Sequence, residues 1–203
     1  MGGSSEPDEF RGFGRVHLEA AVPLEGNGFR GLFVADPSSA SVAEDETVEY
    51  TFQTDDGDDE NAAEFRATLA WIDPPAETIS SNQLVHDLDL VVTAPSGTRY
   101  TMWSNGEADS TNVIERVVIS ADDFAAEESG TWTVSVSANV LSTESQAYSL
   151  AVLGPFGEGT AVVEAEESSS HGKGRGAQPG ASLALSLRVL ASLGAVVAGA
   201  LLM

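Results

Sequence analysis

The 203-residue sequence contains no cysteine and few basic residues. Without cysteine the chain has no disulfide bond, no thiol nucleophile and no thiolate metal ligand. Lysine and arginine together number 9 against 32 aspartates and glutamates, which gives a formal net charge of −23. Such an excess of negative charge repels phosphate backbones, so nucleic acid is not expected among the partners. Because 42% of the residues are hydrophobic, the acidity does not indicate a disordered chain.

The C-terminal part of the chain differs in composition from the middle. Residues 156–180 are rich in glycine, serine and charge, which predicts a flexible spacer. Residues 181–203 are apolar except for Arg188 and a few small polar residues. Small residues at Ser168 to Ser170, a polar spacer and a terminal apolar tail are the layout of a GPI-anchor signal. The alternative is a C-terminal membrane helix; either one tethers the protein to a membrane and predicts an extracellular or cell-surface location.

Between residues 31 and 155 apolar residues recur with a period close to two, which is typical of half-buried β-strands. Proline and glycine in Pro95-Ser96-Gly97 predict a hairpin turn between two of these segments. We therefore expect an all-β protein, an antiparallel β-sandwich or jelly roll of about eight strands. One helical turn is expected over Ser120–Glu128, with Ser120 as the N-cap. The alternating segments are Thr47–Phe52, Glu64–Ile72, Asp89–Ala94, Thr98–Met102, Val113–Ile119, Gly130–Ala138 and Ala147–Leu153.

Residues suited to catalysis are scarce in this sequence. There is no G-x-S-x-G motif, and the histidines are His17, His86 and His171. His86 directly precedes Asp87, and adjacent residues on a strand point to opposite faces of a sheet. We therefore expect no catalytic triad, and no zinc site because no two histidines stand at helical spacing.

The spacing of Asp87 and Asp89 predicts a calcium site. Asp-x-Asp places two carboxylates on the same side of an extended chain, and calcium prefers oxygen ligands. Asn105, Asp109 and Asn112 in the following loop offer further oxygen atoms. The alternative is that these residues cap turns and strand ends.

The three tryptophans divide into two groups. Trp71 and Trp132 lie in alternating segments and are expected in the core rather than on a sugar-binding surface. Trp103 lies outside the alternating segments, so it is the tryptophan that could bind a ligand from an exposed position.

Several motifs between Ala67 and Leu153 resemble one family. ATLAWIDPP, LVHDLDLVVTAPSGTRY, TNVIERVVI, GTWTVSVSANV and QAYSLAVLG, in this order, are similar to the C-terminal β-sandwich of a subgroup of subtilisin-like serine proteases. In that subgroup a W-x-D-P-P strand end is followed by L-V-N-D-L-D-L, and here His86 replaces the asparagine. Gly12 to Leu24 resembles the segment that closes the catalytic domain, after the helix that carries the nucleophilic serine.

The resemblance implies a domain layout and a role. Residues 1–30 would be the remnant of a catalytic domain, 31–155 the β-sandwich, 156–180 the spacer and 181–203 the tail. Since the family's G-T-S and H-G-T motifs do not occur in this sequence, no catalytic residue is expected in it. The implied role is a non-catalytic domain that stabilises an upstream catalytic domain and binds calcium through Asp87 and Asp89. The alternative is a membrane-tethered module that binds carbohydrate or protein.

Overall fold

The computed structural model describes residues 6–8, 10–24, 26, 28–54, 64–80, 83–103, 106–107, 109–127 and 129–157, and the backbone of 162–167. These residues contain ten strands, one 3-10 turn at Leu18–Ala20 and one short helix, α1 (Ala121–Ala126). The expected all-β class is confirmed. The strands are β1 (Gly31–Ala35), β2 (Ser41–Ala43), β3 (Glu46–Thr54), β4 (Phe65–Trp71), β5 (Asp87–Thr93), β6 (Arg99–Tyr100), β7 (Ile114–Ile119), β8 (Gly130–Val140), β9 (Ser145–Gly154) and β10 (Val162–Glu167).

The strands pair into two antiparallel sheets. Sheet one has the order β1-β9-β4-β7, and β2 also pairs with β9. Sheet two has the order β10-β3-β8-β5-β6. The short strand β6 pairs with β5 only at Val92 and Thr93, so within the described residues the rest of that edge of β5 has no strand partner.

The hydrophobic core draws its side chains from both sheets. The predicted alternation holds: Tyr50 and Phe52 of β3 and Phe65 of β4 are buried, whereas Thr51 and Arg66 beside them are more exposed. Trp132 of β8 is fully buried and stacks on Phe65 with ring centroids 5.3 Å apart. Trp71 is buried as well, which confirms that these two tryptophans belong to the core. Each large apolar side chain removed from water stabilises the fold by about 1.5–3 kcal/mol.

The predicted turn and helix cap both occur. Gly97 donates its N–H to the carbonyl of Ala94 at 2.9 Å, and its φ of 90° lies in the region that favours glycine. Ser120 caps α1, because its Oγ accepts the N–H of Asp123 at 3.1 Å. These local contacts fix the connections between β5 and β6 and between β7 and β8.

The N-terminal segment is fastened to sheet one by two arginines. Arg66 of β4 donates from Nη1 to the carbonyl of Ala20 at 2.8 Å, and its guanidinium lies 5.2 Å from the ring centroid of Phe29. Arg116 of β7 lies over the ring of Phe13 at 4.4 Å. Each cation–π contact is worth about 0.5–1 kcal/mol at a surface site.

Most of the residues to which the C-terminal predictions refer lie outside the described part of the chain. Strand β10 pairs with β3 and falls inside the stretch 156–180, for which composition alone predicts a spacer. Phe156 packs in the core, so the buried part of the domain reaches this residue. The tail of residues 181–203 is outside the described residues, and no helix in the described part is long and apolar enough to cross a membrane.

Candidate metal centre

Asp87 and Asp89 lie on the same side of β5, as their spacing predicts. The inward positions of β5 are taken by the buried residues Leu88 and Leu90. Asn139 of β8 donates its side-chain N–H to Oδ2 of Asp89. The Oδ1 atoms of both aspartates are buried, and neither has a hydrogen-bond partner among the described residues. Burial raises the pKa of both carboxyl groups, because the charged form loses its hydration.

Asp109 approaches the same two carboxylates from the loop before β7. Its own side chain is buried and held locally: Oδ1 accepts the N–H of Thr111 at 3.0 Å and Oδ2 accepts from Nδ2 of Asn112 at 2.6 Å. After burial, the charge of Asp109 is one of the causes that raise the pKa of Asp87 and Asp89. The structure thus brings Asp109 to the predicted pair, with Asn112 beside it, while Asn105 lies outside the described residues.

Glu115 of β7 is a site residue that the sequence analysis missed. It is only 2% exposed and lies opposite Leu69 of β4, on the inward side of sheet one. Its Oε2 accepts the backbone N–H of Leu90 in β5 at 2.6 Å. Its Oε1 is buried and has no hydrogen-bond partner among the described residues. A signal was present in the sequence, because Glu115 shares the inward phase of its strand with Val117 and Ile119.

The electrostatic state of Glu115 reflects this crowding of acids. Burial raises the pKa of Glu115 to about 8; the N–H of Leu90 opposes the rise, and the charges of Asp89, Asp109 and Asp87 add to it. A carboxylate buried among other carboxylates is unfavourable unless a proton or a cation neutralises it. At neutral pH the raised pKa of Glu115 means that a proton neutralises its carboxyl group, and a bound cation would replace that proton.

A cavity of about 130 Å³ lies between these residues. Asp89, Asp109 and Glu115 line it, together with the oxygen-bearing side chains of Thr101 and Ser137. The lining also includes the cationic side chain of Arg99, and it does not include Asp87. Apart from Arg99, the polar side chains named here offer oxygen atoms, which calcium takes in groups of six to eight, whereas zinc prefers nitrogen and sulfur. Of the three unpartnered carboxylate oxygens, those of Asp89 and Glu115 belong to residues that line the cavity, and they fit a hard cation. As the side chains stand, no three histidine, aspartate or glutamate residues in the described part of the chain are grouped as a metal site, so coordination would require side-chain rotation.

The W-x-D-P-P motif fixes the chain where it enters β5. Nε1 of Trp71 donates to the carbonyl of His86 at 3.1 Å. The carboxylate of Asp73 accepts the N–H groups of Val85 at 2.9 Å and His86 at 2.7 Å. These three bonds hold the backbone immediately before Asp87, so the motif positions the first carboxylate of the site.

The chain matches no protein-family model and no curated protein. The function of the chain is therefore inferred from the geometry of the acidic residues and from the motifs described above. Among the described residues, the buried carboxylates at the edge where β5 meets β7 are the group that requires neutralisation by a proton or a cation.

Proposed function

We propose that the protein is a calcium-stabilised β-sandwich that serves as the non-catalytic C-terminal domain of a subtilisin-like serine endopeptidase. The observation that carries this proposal is the set of three buried, unpartnered carboxylate oxygens on Asp87, Asp89 and Glu115. A divalent cation would satisfy these oxygens and cancel the repulsion among the acids.

The position of the cluster supports a stabilising role for the cation. Asp89 belongs to β5 of sheet two and Glu115 to β7 of sheet one, so a cation bound to both would link the two sheets. This link would lie beside the part of β5 that β6 leaves uncovered. Binding to the folded state alone stabilises it by mass action, by about 2.7 kcal/mol at a calcium concentration 100 times Kd.

A β-sandwich arrangement is part of the proposal. Buried residues of sheet one and sheet two form one hydrophobic cluster, as expected when two sheets pack face to face. The jelly-roll topology of the resembling family is the specific form that we propose.

The protease assignment is supported by the structural roles of the motifs that carry the resemblance. Trp71 and Asp73 of W-x-D-P-P clamp the start of the next motif. The segment that resembles the end of a catalytic domain is bound to sheet one through Arg66 and Arg116. An upstream catalytic domain would thus be held against the sandwich, and the apolar tail would anchor the protein at a cell surface.

Calcium binding is tested by isothermal titration of the chelator-treated full chain in mild detergent. We expect one site, with an affinity at least about tenfold weaker for Glu115→Gln, since one charged ligand is lost. Glu77→Gln is the matched control, because Glu77 is exposed and lies away from the cavity lining. No binding by the unaltered chain, or equal binding by the two variants, would contradict the site.

The protease assignment is tested separately by sequencing the encoding transcript upstream of Met1. We expect that region to encode the aspartate, histidine and serine motifs of a subtilisin-like catalytic domain. A transcript without them would contradict the protease assignment and favour the alternative, a membrane-tethered binding module. For that alternative Trp103 would be the residue to examine, because Trp71 and Trp132 are buried.

A further inference from the structure

Three side chains near the start of β5 form a continuous line of hydrogen bonds. Nδ1 of His86 lies 2.5 Å from Oε1 of Gln146, and Nε2 of His86 lies 2.7 Å from Oγ of Ser142. Gln146 also donates from Nε2 to the carbonyl of Ala147 at 2.6 Å. The set is separate from the acidic cluster in its chemistry, and it was not foreseen because Ser142 stands 56 residues from His86.

The backbone carbonyl at one end determines the direction of every bond in this line. The carbonyl of Ala147 can only accept, so the amide nitrogen of Gln146 faces it and the amide oxygen faces His86. An amide oxygen also only accepts, so Nδ1 of His86 carries the hydrogen. In the neutral ring Nε2 is then the acceptor, and the hydroxyl of Ser142 donates to it.

We propose that Ser142 is a nucleophile that His86 activates and Gln146 orients, and that it accepts acyl groups from small activated esters. The serine proton passes to Nε2 of His86 as Oγ bonds to the ester carbonyl carbon. The bond from that carbon to the alcohol oxygen then breaks, and the alcohol leaves with the proton from Nε2. The products are an acyl-serine and the free alcohol, and no oxidant or metal takes part.

Ser142 is accessible to a substrate, whereas its base and the orienting residue are buried. Ser142 is exposed on the loop between β8 and β9, where an ester in solution can reach it. His86 is 1% exposed and Gln146 is 8% exposed, so the base and its orienting group are shielded beneath the serine. The backbone of His86 is clamped by Trp71 and Asp73, which limits the movement of the ring. This proposal does not depend on calcium binding or on the protease assignment.

The test uses the full chain, p-nitrophenyl acetate and mass spectrometry of the acetylated peptides. We expect acetyl transfer to Ser142, with release of p-nitrophenol about 100-fold faster than in Ser142→Ala, the usual contribution of a positioned base. Ser145→Ala is the matched control, since Ser145 is exposed nearby and should react as the unaltered chain does. Background acetylation is easily separated, because the chain has one lysine, Lys173.

Variants of Gln146 test the orienting role. Gln146→Glu keeps an oxygen acceptor opposite Nδ1 but loses the N–H that donates to Ala147, so it should retain acetylation of Ser142 at a reduced rate, whereas Gln146→Ala should lower the rate further, at least about tenfold below that of the unaltered chain. Circular dichroism checks that each variant is folded. Equal rates for the unaltered chain and Ser142→Ala, or acetyl groups found only on residues other than Ser142, would overturn the proposal.

Discussion

Oε2 of Glu115 in β7 accepts the backbone N–H of Leu90 in β5 at 2.6 Å, so this side chain forms a hydrogen bond from sheet one to sheet two. Over this part of β5 the described residues contain no neighbouring strand on that edge, and the carboxylate takes the place of a ladder acceptor. The other oxygen, Oε1, remains buried without a partner in the described part of the chain. Glu115 is therefore a structural acceptor whose ionised form is unfavourable, so its carboxyl group keeps its proton up to about pH 8.

Replacing Glu115 with glutamine should stabilise the calcium-free chain. Glutamine keeps an oxygen for the N–H of Leu90 and is neutral without a proton, whereas Glu115 must take up a proton on folding at neutral pH, since it is ionised in the unfolded chain. At neutral pH we expect a gain of about 1–3 kcal/mol in the free energy of unfolding, measured by urea titration in the presence of a chelator. A loss of stability would mean that the charge of Glu115 is compensated in the folded chain.

Replacing Glu115 with alanine separates the acceptor from the charge. Alanine leaves the buried N–H of Leu90 without its acceptor and creates a cavity beside β5. Relative to Glu115→Gln, we expect a loss of about 1–3 kcal/mol in the free energy of unfolding. Equal stability of the two variants would show that the bond to Leu90 contributes nothing.

The calcium-free chain should lose stability as the pH rises toward 8. The pKa of Glu115 is about 8 in the folded chain, above the value of 4.5 for an unperturbed glutamate, so between these values the folded state binds more protons than the unfolded state. The stabilising effect of that proton is complete below the lower value and is lost as the pH rises through the higher one. From about pH 6.5 to about pH 8.5 we expect a decrease of about 2 kcal/mol in the free energy of unfolding.

The control for this pH dependence is Glu115→Gln, measured by urea unfolding over the same range. Ordinary carboxyl groups are already ionised at about pH 6.5, so they add little to the slope. The variant should have a flatter profile than the unaltered chain. Parallel profiles would assign the pH dependence to other groups.

Replacing Asp73 with alanine should destabilise the entrance to β5. The substitution removes the acceptor for two backbone N–H groups, those of Val85 and His86. We expect a loss of about 2 kcal/mol in the free energy of unfolding, together with weaker calcium binding, since Asp87 follows directly. Glu77→Ala is the control on the exposed chain between β4 and β5, and an effect of equal size there would rule out the specific role of Asp73.

Replacing Arg116 with glutamine should loosen the N-terminal segment. The guanidinium of Arg116 lies over Phe13, and the exposed residues Arg11 and Arg15 on either side of Phe13 are of the type that trypsin cleaves. Loss of a contact worth about 0.5–1 kcal/mol should make cleavage at these two residues about two- to fivefold faster. Arg99→Gln, on the far strand β6, should leave the cleavage rate unchanged; unchanged cleavage in Arg116→Gln as well would contradict the fastening role.

Strand periodicity predicts the fold well, because the alternation of apolar and polar residues in a half-buried strand identifies the face that points to the core. Trp71 and Trp132 are expected in the core on this basis, and the structure confirms both. Strands β1, β2 and β10 were not predicted. The first two are short, and the composition around β10 indicates a spacer rather than a strand.

The candidate site was only partly accessible from sequence. Local spacing is sufficient to pair Asp87 with Asp89, because both lie on one strand. Glu115 joins them through a contact between the two sheets, 25 residues from Leu90, and no spacing rule specifies such a contact. Spacing rules do not predict the contacts of His86 either, because its partners Ser142 and Gln146 follow β8 in the sequence, 56 and 60 residues away.

The most direct test of the calcium site is the melting temperature of the full chain with saturating calcium and with a chelator. We expect calcium to raise the melting temperature by several degrees, about 4 °C for each kcal/mol of stabilisation. Glu77→Gln should respond in the same way, whereas Glu115→Gln should respond much less. A melting temperature that is the same with calcium and with chelator would contradict the proposal that the buried carboxylates of Asp87, Asp89 and Glu115 hold a cation.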